Sequence, residues 1–121
     1  MIDLKSKNAL VTGSSRGVGQ QTAIGLAKLG CNVIVHGRKK ENCNETLDLL
    51  KSYPVKTYAV YCELSEENQV HDLIRQVKDL KIPIDILYNN AAWMVDYHKD
   101  IWTHTWDEWM QTMKINVFAM Y

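Results

Sequence analysis

The chain has 121 residues, equal numbers of basic and acidic side chains and a formal net charge of +0 at pH 7. Apolar residues make up 46% of it and charged residues 23%, which is ordinary for one globular domain. Because a neutral chain has no long-range field to attract nucleic acid or an anionic membrane, we expect neither partner. No apolar run has the length of a signal peptide or a bilayer span. Cys31, Cys43 and Cys62 form no Cys-x-x-Cys pair, so we expect a cytoplasmic protein with no disulfide framework and no metal site.

The N-terminal region combines a short apolar run, a glycine-rich turn and an amphipathic segment. Residues 9–11 predict a buried strand, residues 12–19 (Thr-Gly-Ser-Ser-Arg-Gly-Val-Gly) a turn, and the segment from about Gly17 to Leu29 a helix. Gly13 and Gly17 let the backbone turn sharply and approach a ligand, and Gly19 lets the helix pack against the strand. A helix N-terminus attracts anions, so a dinucleotide pyrophosphate would fit here. The alternative is that these glycines are plain turn and packing residues.

The rest of the chain alternates between strands and helices, with no repeat, low-complexity tract or long linker. Gly30 is the expected stop of the first helix. Further strands are predicted over residues 32–36, 56–61 and 84–88, and helices over residues 41–52, from a Ser65 cap to about Pro83, and from Thr105 to the last residue. Thr105 and Glu108 form a capping box. Short strands separated by helices predict right-handed crossovers and a parallel sheet.

Three motifs follow one another along the chain. The turn has the spacing Gly-x-x-x-Gly-x-Gly after Thr12, residues 89–92 read Asn-Asn-Ala-Ala, and Asn116 lies in Lys-Ile-Asn-Val. Together they resemble the short-chain dehydrogenase/reductase family, with its Asn-Asn-Ala-Gly motif and active-site asparagine. The resemblance covers nearly the whole chain. It implies an α/β fold with a Rossmann-type doubly wound parallel sheet of first-half strand order 3-2-1-4, and residues 1–121 as its cofactor-binding N-terminal part.

The end of the second predicted strand bears on the choice between NAD and NADP. In dinucleotide-binding folds an acid at this point binds the ribose 2′-hydroxyl of NAD, whereas an arginine accommodates the extra phosphate of NADP. Residues 35–40 read Val-His-Gly-Arg-Lys-Lys and contain no carboxylate. The Arg38 guanidinium is suited to a phosphate, and Arg16 is expected to approach the same group, which favours NADP(H) over NAD. The alternative is a solvated basic cluster at the start of the next helix.

The family resemblance implies further cofactor contacts. Glu63 stands where the family usually has an aspartate that meets the adenine amino group, and Leu64 offers its backbone. Asn90 and Ala91 are expected at the ribose on the nicotinamide side, while Asn89 braces the sheet by binding backbone groups. The predicted cofactor contacts are thus Gly13, Ser15, Arg16, Gly17, Val18, Gly19, Arg38, Glu63, Leu64, Asn90 and Ala91.

The segment from Trp93 to Trp109 has the most unusual composition of the chain, with four tryptophans, a tyrosine and two histidines. In the family it borders the substrate pocket. We expect Trp93 and Trp102 to be pocket residues and Trp109 to belong to the core. His98 and His104 lack the spacing of a metal pair on a helix, and we assign them no catalytic role.

The reduction chemistry of the family depends on a tyrosine, a lysine four residues after it and a serine. No tyrosine of this chain has a lysine at that spacing, so the chain resembles a truncated N-terminal half, with Asn116 as its one catalytic position. The resemblance implies an NADP(H)-dependent oxidoreductase that acts on a small-molecule carbonyl or alcohol and is a homo-oligomer in its full-length form. The alternative is a non-catalytic NADP-binding or interaction module.

Overall fold

The computed structural model describes residues 2–95 and 98–121. Strands and α-helices alternate along them. The strands are Asn8–Val11 (β1), Asn32–Gly37 (β2), Thr57–Tyr61 (β3) and Ile86–Tyr88 (β4), and the helices are Gly17–Lys28 (α1), Lys40–Leu50 (α2), Glu67–Asp79 (α3) and Trp106–Asn116 (α4). Short 3₁₀ turns cover Ile101–Thr103 and Phe118–Met120.

The strands form one parallel sheet of order β3-β2-β1-β4, which confirms the predicted fold class and strand order. In the central register Ala9 lies between Val33 of β2 and Ile86 of β4. The carboxyl ends of all these strands therefore lie at one edge of the sheet, which is where ligands bind in such folds.

Helices pack on both faces of the sheet. Successive strand residues point to opposite faces, so Leu10 and Ile34 pack on the side of α3 and α4, and Val11 and Val35 on the side of α1 and α2. Residues of β1 and β2 are buried almost throughout, as both faces of these strands are covered. Beside them β4 has Leu87 56% exposed, so this edge of the sheet is partly open among the described residues.

The structure corrects two predicted helix ends. The N-cap of α3 is Glu66 and not Ser65, because the amide of Glu66 bonds to the Glu63 carbonyl oxygen in a preceding turn. The last helix does not continue to the end of the chain: α4 ends at Asn116, where Val117 leaves the helical region with φ −124° and ψ −63°.

The predicted capping box begins α4. Thr105 Oγ1 accepts from the Glu108 amide at 3.2 Å, and Glu108 Oε2 accepts from the Thr105 amide at 2.7 Å. A hydrogen bond from Lys99 and that from the Thr105 amide hold the pKa of Glu108 at about 2. The capping box thus satisfies backbone groups at the N-terminus of α4, the helix that ends at Asn116.

Among the described residues, none of the helices combines the length and the apolar composition that a membrane span requires.

Candidate cofactor site

A cleft of about 840 Å³ lies at the carboxyl edge of the sheet. Each strand contributes the residues that follow it, and α4 closes one side. The lining residues are Gly13, Ser15, Arg16, Gly17, His36, Gly37, Arg38, Glu41, Asn42, Glu45, Cys62, Glu63, Leu64, Asn90, Ala91, Ala92, Trp93, Gln111 and Ile115. Nine of the predicted cofactor residues are among them, since parallel strands bring their carboxyl ends together.

The glycine turn between β1 and α1 forms the floor of the cleft. Gly13 and Gly17 have φ values of +64° and +59°, in the left-handed region that side chains disfavour. No side chain caps the N-terminus of α1, and its first turn has no acidic residue. This helix end therefore offers its amide groups and positive dipole end to an anion in the cleft.

Gly19 lies behind the turn and not in the cleft. A Cβ atom on Gly19 would overlap the Gly13 carbonyl oxygen and lie 2.5 Å from Asn90 Nδ2. Val18 is 68% exposed and also lies outside the cleft. The close packing predicted for Gly19 is thus made against the turn itself, and it sets how near α1 comes to the cleft.

Asn90 connects the end of β4 to the glycine turn. Its Nδ2 donates to the carbonyl oxygens of Thr12 and Gly13 at 3.1 and 3.2 Å, and its amide donates to Thr12 Oγ1 at 3.0 Å. The bracing role that the sequence analysis gives to Asn89 is therefore made by Asn90, while Asn89 is exposed. Ala92, at the usual glycine position of the motif, has no positive φ, so this backbone does not require glycine.

A buried polar chain anchors the same turn to α2. Gln20 Nε2 donates to Thr46 Oγ1 at 3.0 Å, and Thr46 Oγ1 donates to the Ser14 carbonyl oxygen at 2.8 Å. Gln20 and Thr46 are both buried. Sequence reasoning missed both, because the two partners lie 26 residues apart along the chain.

The end of β2 presents a basic side chain without a neighbouring acid on the strand. Gly37 is buried, Arg38 is exposed, and both line the cleft. Glu41 and Glu45 of α2 reach the same cleft from the side. α2 begins at Lys40, so Arg38 lies two residues before the helix.

Glu63 follows β3 and is held by its own segment. Its Oε1 accepts from the Ser65 amide at 3.3 Å, and its amide donates to Gln69 Oε1 at 2.9 Å. Leu64 is buried beside it with 9% of its surface exposed. The carboxylate thus lines the cleft while it stabilises the turn that leads into α3.

His36 is the main site residue that sequence reasoning missed. His36 is 2% exposed, and its ring lies between the glycine turn and the end of β3. Nδ1 accepts from the Gly13 amide at 2.9 Å, and Nε2 lies 3.1 Å from the Cys62 carbonyl oxygen. A lone histidine that ends an otherwise apolar strand was the available signal.

Asn116 lies beside the cleft but not in its lining. Its Oδ1 accepts from the Trp93 amide at 2.8 Å, and its Nδ2 donates to the Trp93 carbonyl oxygen at 2.8 Å. Both polar atoms of the side chain thus hold the backbone that follows β4. The segment stays against α4 for this reason, and Trp93 lines the cleft.

Two further tryptophans, Trp102 and Trp109, differ from expectation. Trp102 is 87% exposed and does not line the cleft. Trp109 is 43% exposed, so its assignment to the core is wrong; it makes an edge contact with the ring of His104 at 5.9 Å. Tyr97 lies outside the described residues.

Comparison with known proteins places this arrangement in one family. A family model for short chain dehydrogenase matches residues 7–121. The chain is 33% identical over 118 residues to the uncharacterized oxidoreductase YvrD of Bacillus subtilis, covering 98% of this chain and 43% of that protein. It is 30% identical over 122 residues to L-rhamnose 1-dehydrogenase (NADP(+)) of Thermoplasma acidophilum, covering 100% and 47%.

A solved structure shows the same fold. The 3-oxoacyl (acyl-carrier-protein) reductase of Agrobacterium tumefaciens C58, with NADP bound, superposes with a TM-score of 0.87 at 30% identity, covering 97% of this chain and 44% of that one. The chain thus spans less than half the length of each of these three proteins. Since the family model matches it from residue 7 to residue 121, the chain belongs to the short-chain dehydrogenase family.

Proposed function

We propose that the cleft binds NADP(H), and that these residues are the cofactor-binding part of an oxidoreductase. The observation that carries the proposal is that Arg38 and the uncapped N-terminus of α1 open into one cleft, with Gly37 and no acid at the end of β2. An anion is favoured at both places, as the pyrophosphate and the 2′-phosphate of NADP require. The names of the Thermoplasma dehydrogenase and the Agrobacterium complex, which mention NADP, support this choice.

The residues of the cleft fit the parts of such a cofactor. The glycine turn around Gly13 and Gly17 would hold the pyrophosphate. Position 13 has no room for a side chain, because a Cβ atom there would lie 2.8 Å from the Ala91 Cα atom. Arg38 and Arg16 would hold the 2′-phosphate by charge-assisted hydrogen bonds.

The remaining lining residues would contact the two ends of the cofactor. Glu63 and Leu64 would lie at the adenine, and Asn90 and Ala91 at the ribose next to the nicotinamide. When bound, the cofactor supplies a hydride to a carbonyl carbon or accepts one from an alcohol carbon. Asn116 is proposed to support proton transfer by family resemblance, while its contacts with Trp93 hold the wall of the cleft.

Amide chemical shifts measured during titration with NADPH test the site. The expected result is saturable shifts at residues 13–19, 36–38 and 62–64, with no shifts in the face of α3 away from the sheet. Shifts confined to other surfaces, or no binding, would contradict the proposal.

A non-catalytic cofactor-binding module is the second candidate. The 121 residues contain no tyrosine followed four residues later by a lysine, so neither of these two groups is supplied by the residues described. Hydride transfer leaves an alkoxide that needs a proton and hydrogen-bond donors, and each such group contributes about a hundredfold or more. We expect the 121-residue protein to bind NADPH without oxidising it in the presence of ketones or aldehydes.

The codons that follow Tyr121 separate the two candidates. A continuation with a serine and a Tyr-x-x-x-Lys motif supports the oxidoreductase, and a stop codon supports the module. NADPH oxidation that copurifies with the 121-residue protein and disappears in Gly13→Trp would show that these residues catalyse the reaction themselves. That result would contradict the assignment of catalysis to residues after Tyr121.

A further inference from the structure

The ring of His36 is held in one tautomer by its two partners. The Gly13 amide can only donate a hydrogen bond, so Nδ1 must accept with a lone pair. The Cys62 carbonyl oxygen can only accept, so Nε2 must carry the proton. The contacts therefore require a neutral imidazole with its proton on Nε2.

His36 also controls the glycine turn through its backbone. The Ser14 amide donates to the His36 carbonyl oxygen at 3.0 Å, and the His36 amide donates to Ser14 Oγ at 2.9 Å. With the bond from Gly13 to the ring, consecutive turn residues are tied to one histidine. Gly13 is thereby fixed at its φ of +64°.

We infer that His36 is a positioning residue for the dinucleotide cofactor: by accepting from the Gly13 amide, its neutral ring holds the glycine turn in the conformation that receives the pyrophosphate. The inference rests on the proposed function. His36 acts through Gly13 and not on the reacting atoms. Cofactor binding by this protein then requires that the ring be unprotonated.

The surroundings of the ring agree with a neutral state. Burial lowers the pKa of His36 below its ordinary value of 6.5, against the opposing effects of the Cys62 carbonyl and of Glu63. The basic groups of the cleft are Arg16 and Arg38. The acidic groups of the same cleft are Glu41, Glu45 and Glu63. Burial raises the pKa of both neighbouring thiols, Cys43 and Cys62, to about 11, so they carry no charge.

The direction of the pH effect follows from this lowered pKa. The unfolded chain binds a proton at His36 near pH 6.5, and the folded chain only at lower pH. The contribution of the neutral ring to stability is complete above about pH 6.5 and declines as the pH falls toward the lowered pKa. Protonation of Nδ1 would set two donors against each other at Gly13, so affinity for the cofactor declines as the pH falls through the lowered pKa of the folded protein.

Two substitutions separate the two ends of the ring. His36→Asn places an amide oxygen near the position of Nδ1, where it accepts from the Gly13 amide, but it does not reach the Cys62 carbonyl. His36→Gln reaches that carbonyl but offers no acceptor at the position of Nδ1. We expect His36→Asn to keep the affinity for NADPH within about threefold and His36→Gln to lose roughly fivefold or more. A loss in His36→Asn equal to or larger than that in His36→Gln, or unchanged affinity in both, would overturn the inference.

The pH profile gives a readout that a purely structural role would not move. Dissociation constants for NADPH are measured between about pH 5 and pH 8 for the wild type and His36→Asn. The 2′-phosphate titrates near pH 6 in both proteins, so the difference between the profiles isolates His36. The expected result is a steeper acidic weakening in the wild type, and superimposable profiles would contradict it. If the wild type binds no NADPH, the proposed function is refuted. If the wild type and His36→Gln bind NADPH with equal affinity, only this inference is refuted.

Discussion

Gly19 of α1 lies directly against Gly13 of the glycine turn. A Cβ atom at position 19 would overlap the Gly13 carbonyl oxygen and would lie 2.5 Å from Asn90 Nδ2. The first turn of α1 therefore approaches the glycine turn as closely as the backbone permits. This contact sets the distance between the amide groups of α1 and an anion in the cleft.

Replacement of Gly19 by alanine tests that contact. Gly19→Ala forces the turn and Asn90 to move, so we expect the free energy of unfolding to fall by about 1–3 kcal/mol and the affinity for NADPH to weaken. Gly25 of the same helix is the matched control, because a Cβ there would meet nothing within 4 Å. Gly25→Ala should raise the free energy of unfolding by about 0.5–1 kcal/mol, since alanine favours the helix. Urea denaturation measures both, and equal midpoints for the two variants would contradict the packing account.

Adjacent asparagines after β4 are expected to differ in importance. Asn90→Ala removes the donor to the Thr12 and Gly13 carbonyl oxygens and should lower the free energy of unfolding by about 1 kcal/mol. Asn89→Ala changes an exposed side chain and should stay within about 0.5 kcal/mol of the wild type. A larger loss in Asn89→Ala would restore the role that the sequence analysis gives to that residue.

The packing around Gly37 resists conversion to NAD. A Cβ atom there would lie 2.9 Å from Cys43 Sγ and 3.1 Å from Asn42 Cβ. We expect Gly37→Asp alone to lower the free energy of unfolding by about 1–3 kcal/mol without creating a preference for NADH. Gly37→Asp combined with Cys43→Ala relieves the closer contact and should shift the affinity ratio toward NADH, with Cys43→Ala as the control. A clear NADH preference in Gly37→Asp alone, with unchanged stability, would show that the strand end has room for a side chain.

The sequence allowed the fold and the cleft to be predicted because the elements depend on local patterns and the strand order follows from the family resemblance. Apolar runs of strand length, separated by helical periodicity, specify a parallel sheet, and the glycines before α1 specify the turn. Once the strands are parallel, the residues after Val11, Gly37, Tyr61 and Tyr88 must meet at one edge. The strand order 3-2-1-4, which the family resemblance implies, then brings Arg38 and Asn90 into one cleft.

The hydrogen-bond partners were not predictable because they join distant segments. His36 reads as an ordinary residue of an apolar strand, and only the folded sheet brings its ring to Gly13 and Cys62. The direction in which β4 ends determines whether Asn89 or Asn90 braces the turn. The sequence does not indicate this direction, because the two adjacent residues are identical. Trp109 occupies a helical position consistent with a core residue, yet its burial depends on which elements pack over α4.

The ratio of NADH to NADPH dissociation constants, measured by titration calorimetry in the wild type and in Arg38→Ala, tests the central claim most directly. One charge-assisted contact to the 2′-phosphate corresponds to a preference for NADPH of roughly 10- to 150-fold. We predict that Arg38→Ala removes most of this preference, whereas Lys39→Ala, a change in the exposed neighbour, leaves it intact. Equal affinities of the wild type for the two cofactors, or a preference that survives in Arg38→Ala, would contradict the account.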